Sequence, residues 1–173
     1  MAATGTAEGD APPAGRRVTS MLAAVVLIVA ADQATKAWAV AALADGPISL
    51  IGDAVELRLG RNSGGAFSSF QGATPVLAVV AAVASVVLWR MAHRATDRWM
   101  LAGLVLVLSG AMGNLVDRIA RDPGFLRGRV VDFVSVGWWP SFNVADSAIT
   151  VGALTLVLRT WLANPEPRSG PSG

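Results

Sequence analysis

Gly110-Ala111-Met112-Gly113-Asn114-Leu115-Val116-Asp117-Arg118, followed at a distance by Val130-Val131-Asp132-Phe133 and Phe142-Asn143-Val144-Ala145-Asp146-Ser147, decides how this chain is read. Strongly apolar segments lie on both sides. Ionisable and amide side chains (Asn114, Asp117, Arg118, Asp132, Asn143 and Asp146) are therefore set at or near membrane depth. Such groups are costly in hydrocarbon, so they face a protein interior or a watery cavity and mark function. Their spacing is ordered. Asn114, Asp117 and Arg118 stand at i, i+3 and i+4 of one helix, and Asn143 and Asp146 at i, i+3 of another.

Working outward, 53% of the 173 residues are apolar, only 15% are charged, and mean hydropathy is +0.53. That is too apolar for an ordinary soluble domain and too often interrupted by Gly and Pro for one buried core. A membrane protein is the reading. The high isoelectric point arises from a net charge of only +2, which points to no nucleic-acid partner. Cysteine is absent, so disulfides, thiolate metal sites and a cysteine nucleophile are excluded. The single histidine, His93, lies between Arg90 and Arg94 and reads as a loop residue rather than a ligand or base.

Four spans of about 20 residues, enough to cross a ~30 Å hydrocarbon layer, are expected at about Val18 to Ala42, Ala73 to Ala92, Trp99 to Ile119 and Ser141 to Ala163. Trp38, Trp89, Trp99, Trp138, Trp139 and Trp161 fall near the ends of these spans, as an interfacial belt requires. The first apolar run carries Asp32 and Lys36 and has no convincing small-residue cleavage site, so it reads as a retained span. Residues 1–17 and 164–173 read as disordered cytoplasmic tails around one membrane domain, 18–163. Between the first two spans, Ile48 to Ile51, a Gly52-Asp53 turn and alternating Val55 to Leu59 predict a small hairpin with Val55, Leu57 and Leu59 on one face. The fold class is thus all-α and polytopic, four transmembrane helices with a small extracytoplasmic β-hairpin. Arg16, Arg17, Arg90, Arg94 and Arg98 favour both termini inside, with 45–72 and 120–140 outside.

Asp32 and Lys36, at i and i+4, read as a buried ion pair more readily than as catalysts. Asn62-Ser-Gly-Gly-Ala-Phe67 reads as a turn, or as a loop whose amides grip an extended peptide. Gly110 to Gly113 lets helices approach closely. Asp132, in a wholly apolar setting, and Asp146, in the first turns of the fourth span, suggest an aspartic dyad. Two carboxylates a few ångströms apart cannot both ionise, so one holds a proton while the other is a base. Spacing alone leaves a hydrogen-bond network and an aspartic site equally open. The Gly-x-Ser-Gly of a membrane serine protease, the His-Glu-x-x-His of a zinc protease and the Gly-x-Gly-Asp of presenilin-like proteases are all missing.

With these residues in view, the chain resembles bacterial lipoprotein signal peptidase, the type II signal peptidase. Four motifs carry the resemblance in order: Asp32-Gln33-x-Thr35-Lys36; Asn62-x-Gly64-x-Ala66-Phe67; Gly110 to Arg118 with Gly128-x-Val130-Val131-Asp132-Phe133; and Phe142-Asn143-x-Ala145-Asp146. The resemblance implies a globomycin-sensitive aspartic endopeptidase of the bacterial cytoplasmic membrane. It would cleave prolipoproteins on the amino side of a diacylglyceryl-modified cysteine, without cofactor or metal, as a monomer in contact with membrane lipid. It implies Asp132 and Asp146 as catalytic, Asn62, Asn114, Arg118 and Asn143 as residues positioning substrate or dyad, and Asp32, Lys36 and Asp117 as structural polar groups. Two departures stand out: Ser109 where Gly is common, and a longer stretch between Asp117 and Asp132. The extra residues, Arg121 to Arg127, read as a surface excursion. A small carrier or channel subunit with a buried polar path is the alternative, and a catalytically silent lipid-binding relative a third reading. The clustering of polar residues toward one side favours the enzyme.

Overall fold

The structure, a computed structural model, describes residues 14–64 and 74–163. The elements run α1 (Ala14–Ala42), β1 (Ile48–Ile51), β2 (Val55–Asn62), α2 (Thr74–Arg94), α3 (Arg98–Ala120), β3 (Val130–Val136), β4 (Trp139–Phe142) and α4 (Val144–Ala163). All four helices have the length and apolar composition of membrane spans. Their outward side chains, Leu27, Val83 and Val157 among them, are exposed. In lipid that is the satisfied state, because a helix pairs its own backbone and needs no cover over its apolar side.

The four-helix expectation holds, with shifted limits. The first helix reaches back to Ala14 and so includes residues read as tail; residues 1–13 and 164–173 lie outside the described residues. The last helix begins at Val144 rather than Ser141, because Trp139–Phe142 is a strand. Asp97 starts α3, accepting hydrogen bonds from the amides of Trp99 (3.0 Å) and Met100 (2.8 Å). Arg159 of α4 pairs with the same carboxylate at 3.0 Å. Arg159 and the Met100 amide hold that carboxyl down to about 2.

α3 is the central helix. Its small residues let α4 lie against it: a Cβ on Gly103 would come within 2.8 Å of the Leu156 side chain, and one on Gly110 would run into the Ala145 carbonyl. Gly113 makes the same room for Asp32 of α1, whose carboxylate a Cβ there would meet at 2.7 Å. On its other side Leu104, Val105 and Leu108 pack with Met21 and Val25 of α1 and Ala92 of α2.

The expected hairpin exists but is half of a larger unit. The four strands form one antiparallel sheet in the order β1-β2-β3-β4. The register between β2 and β3 slips by one residue between Leu57, opposite Val134, and Gly60, opposite Asp132. A bulge of this kind re-aims side chains, and here it lies beside Asp132. Leu57, Leu59 and Phe133 then pack onto Ala39 and Leu43 at the end of α1. Trp38 meets the Phe133 ring edge-on at 6.4 Å. Pro140, which cannot donate to a ladder, is accommodated because β4 is an edge strand. The ends of α1 and α3, the start of α4 and the sheet therefore share one end of the bundle.

Candidate active site

Asp132 sits in the middle of β3 and is only 5% exposed. With a strand period of two, it shares a face with Val130, and both line a cavity of about 590 Å³. Asp146 lines the same cavity from the first turn of α4, together with Asn62, Asn114 and Arg118.

Asn143 joins the two aspartates. It precedes α4 and caps it: its Oδ1 accepts from the Asp146 amide (2.9 Å), while the Asp146 Oδ2 accepts from the Asn143 amide (3.2 Å). This is a reciprocal capping box, which explains the Asn-x-x-Asp spacing. Its Nδ2 donates to Asp132 Oδ1 at 2.8 Å and to the Val131 carbonyl at 3.2 Å. The other carboxylate oxygens are also held. Asn62 Nδ2 donates to Asp132 Oδ2 (3.2 Å), and Asn114 Nδ2 to Asp146 Oδ1 (2.8 Å). Burial, and then the charge of Asp146, push the Asp132 carboxyl up to about 6.

Arg118 lies at the cavity wall with its Nη1 donating to the Asn114 carbonyl at 3.0 Å and its buried Nε without a partner among the described residues. Asp117, one position earlier, turns away from the cavity. It is fully buried, and its carboxylate binds Lys36 Nζ (2.8 Å), Arg121 Nε (2.7 Å) and the Val131 amide (3.2 Å). Lys36, also fully buried, contacts Asp32 at 2.8 Å and Asn114 Oδ1 at 3.1 Å. Asp32 in turn accepts from the Ala145 amide at 2.9 Å, satisfying another unpaired donor in the first turn of α4.

The structure thus brings Asn62, Asn114, Arg118, Asp132, Asn143 and Asp146 to one cavity, and Asp32, Lys36 and Asp117 to a buried layer beneath it. Two members of that layer have no role in the sequence reading. Gln33 donates to Asp117 Oδ1 and to the Gly113 carbonyl, each at 3.1 Å. Arg121 pairs with Asp117 and reaches Gln33 Oε1 at 3.4 Å. The i, i+4 spacing of Asp117 and Arg121 was the available signal. Arg121 is therefore not part of a free surface excursion. Gly128 closes the stretch by packing on the Asp117 carbonyl, and its amide donates to the Arg118 carbonyl at 3.0 Å. Of the Asn62 to Phe67 motif, Gly65, Ala66 and Phe67 lie outside the described residues; Gly64 donates its amide to Asn62 Oδ1 at 3.1 Å.

Residues 24–162 match the family model described as signal peptidase (SPase) II. A lipoprotein signal peptidase of Mycobacterium tuberculosis (strain ATCC 25618 / H37Rv) is 48% identical over 157 residues, covering 90% of this chain and 78% of the relative. One from Rhodococcus jostii (strain RHA1) is 50% identical over 160 residues, covering 89% and 80%. Among solved structures, a bacterial membrane enzyme determined by the in meso method at 2.3 Å superposes with a TM-score of 0.71 at 23% identity, covering 87% of this chain and 94% of that one, which speaks to the fold.

Proposed function

The chain belongs to the signal peptidase II family, and from that premise we propose that it is an aspartic endopeptidase. Its substrates are prolipoproteins, cut on the amino side of a diacylglyceryl-modified cysteine. The observation that carries the aspartic reading is the pair of carboxylates, Asp132 and Asp146, opening on one cavity and bridged by Asn143.

Asp132, buried and raised to about 6, is the carboxyl that carries the proton below about pH 6. Asp146 takes a proton from water; the water attacks the scissile carbonyl while Asp132 donates to its oxygen. Collapse of the tetrahedral species then delivers a proton to the leaving amine. Asn62, Asn114 and Asn143 keep the carboxylates in place, and Arg118 adds positive charge at the cavity wall. The apolar wall from Val130, Phe142 and Val151 suits an acyl chain beside the scissile bond. A carrier reading would have polar groups running through the membrane depth, whereas these cluster at the sheet end.

The test is cleavage by the purified protein of a prolipoprotein with and without the diacylglyceryl group, in the presence and absence of globomycin. Only the modified substrate is expected to be cut, and globomycin to stop it. Equal cutting of both substrates would remove the substrate assignment.

The proton assignment predicts a pH dependence. Below about pH 6 Asp132 carries the proton it must donate; above it that proton is lost and the acid is missing. The kcat/KM profile, which reports the free enzyme, is expected to fall as pH rises through an apparent pKa near 6. A profile flat from about pH 5 to 9 would contradict the assignment.

The protein lies in the bacterial cytoplasmic membrane as a monomer, termini inside and the sheet outside. Cysteine substituted for the 72%-exposed Phe125 is expected to react with an impermeant thiol reagent on intact cells, and Thr96→Cys only after lysis. The reverse pattern would invert the orientation.

A further inference from the structure

Lys36 lies beneath the catalytic cavity and outside its lining, and a buried ion pair could be its whole role. Its hydrogen bonds say more. An ammonium has three N–H donors and no acceptor. Here all three are engaged, by Asp32 Oδ2 (2.8 Å), Asp117 Oδ2 (2.8 Å) and Asn114 Oδ1 (3.1 Å). Because Lys36 can only donate, Asn114 must turn its oxygen toward it. The amide nitrogen of Asn114 then faces the other way, where it donates to Asp146 Oδ1 at 2.8 Å. Asn143 Nδ2 approaches the same Asn114 oxygen at 3.4 Å and adds to this orientation.

We propose that Lys36 is a positioning residue for peptide cleavage, acting through Asn114 to hold the Asp146 carboxylate as the acceptor for the proton of water.

The three asparagines around the dyad are each oriented by a fixed donor, but the sources differ. Asn62 is set by the Gly64 amide and Asn143 by the Asp146 amide, both close in sequence. Asn114 is the one set by a charged side chain, from a different helix. Were Lys36 neutral, Asn114 could rotate its oxygen toward Asp146 and place two acceptors face to face. The donor would then be lost while every residue of the cavity wall remained. The inference rests on the Asp132/Asp146 reading above and adds a residue to it.

Removing Lys36 alone would leave the buried Asp32 carboxylate without a cation, so the test uses Asp32→Asn/Lys36→Met, which takes away one charge of each sign and leaves the Asp117–Arg121 pair intact. Activity is read per folded protein, after size exclusion. A donor to a charged group accounts for about tenfold to hundredfold. The pair is expected to lower kcat by about that factor with KM changed less than about twofold. Asn114→Ala is expected to do the same, and the triple variant to be no slower than Asn114→Ala alone. Asn114→Asp reads the link from its other end: it keeps an oxygen for Lys36, has no N–H for Asp146, and is expected to fold normally with kcat reduced.

Wild-type kcat in the folded Asp32→Asn/Lys36→Met protein, full kcat in Asn114→Asp, or multiplying losses in the triple variant would each overturn the positioning role. Turnover by Asp132→Asn, measured in parallel, would instead remove the dyad itself.

Discussion

Asp132→Asn and Asp146→Asn are each expected to lower kcat by at least about a thousandfold while leaving the protein inserted and able to bind substrate. General acid and general base contributions each run from about a hundredfold to ten-thousandfold, and here either amide disables the exchange of a single shared proton. Asn keeps one acceptor oxygen at either position, while its NH2 turns toward the donor on the other side, Asn114 Nδ2 at position 146 or Asn62 Nδ2 at position 132. At position 146 its oxygen can still accept from the Asn143 amide, now at 3.2 Å. At position 132 its oxygen can still accept from Asn143 Nδ2, now at 2.8 Å. Binding and melting temperature should therefore change far less than turnover. Substrate binding by a lipid-labelled peptide and turnover by mass spectrometry of the released signal peptide separate the two effects.

The largest expected loss of stability comes from Asp117→Ala. This carboxylate is fully buried and binds Lys36, Arg121 and the Val131 amide at once. It therefore ties α1, the end of α3 and the start of β3 together. Removing it leaves two cations and a backbone donor short of a partner. Breaking a buried pair by deleting one member costs about 3–5 kcal/mol, which for a chain of this length corresponds to a fall in melting temperature of roughly 6–20 °C. Asp117→Asn, which keeps an oxygen acceptor, should fall between the two. Thermal unfolding in detergent measures both, and an Asp117→Ala protein melting within a degree or two of wild type would mean the network carries little of the fold.

The four helices were legible because their apolar runs are long and bounded by Trp, Arg or Pro, and a helix in lipid needs little else. The β1–β2 hairpin was legible from the alternation of Val55, Leu57 and Leu59 about a Gly-Asp turn. β3 was not. Val130 to Phe133 is buried on both faces, so its pattern is a continuous apolar run, with Asp132 as an apparent interruption. Trp138 and Trp139 read as the boundary of the fourth span, which hid β4. The residues that the resemblance implied as catalytic or positioning could be named from sequence, but not how they connect. Asn143 and Asp146 look like two positions on one helix face; only the backbone shows that Asn143 stands before the helix and caps it through Asp146. Asp117 and Arg118 are neighbours with opposite destinations, one into the ion network and one to the cavity. Arg121 reads as the start of a surface excursion because the Pro123-Gly124 turn beside it makes the whole stretch look like solvent-facing loop.

The central claim is that Asp132 and Asp146 act as one unit, and a double-mutant cycle on kcat tests it most directly. If the two share one proton, Asp132→Asn/Asp146→Asn should be no slower than the slower single variant, since the first substitution already removes the function of the pair. Losses that multiply across the cycle, or substantial turnover by either single variant, would contradict a shared dyad.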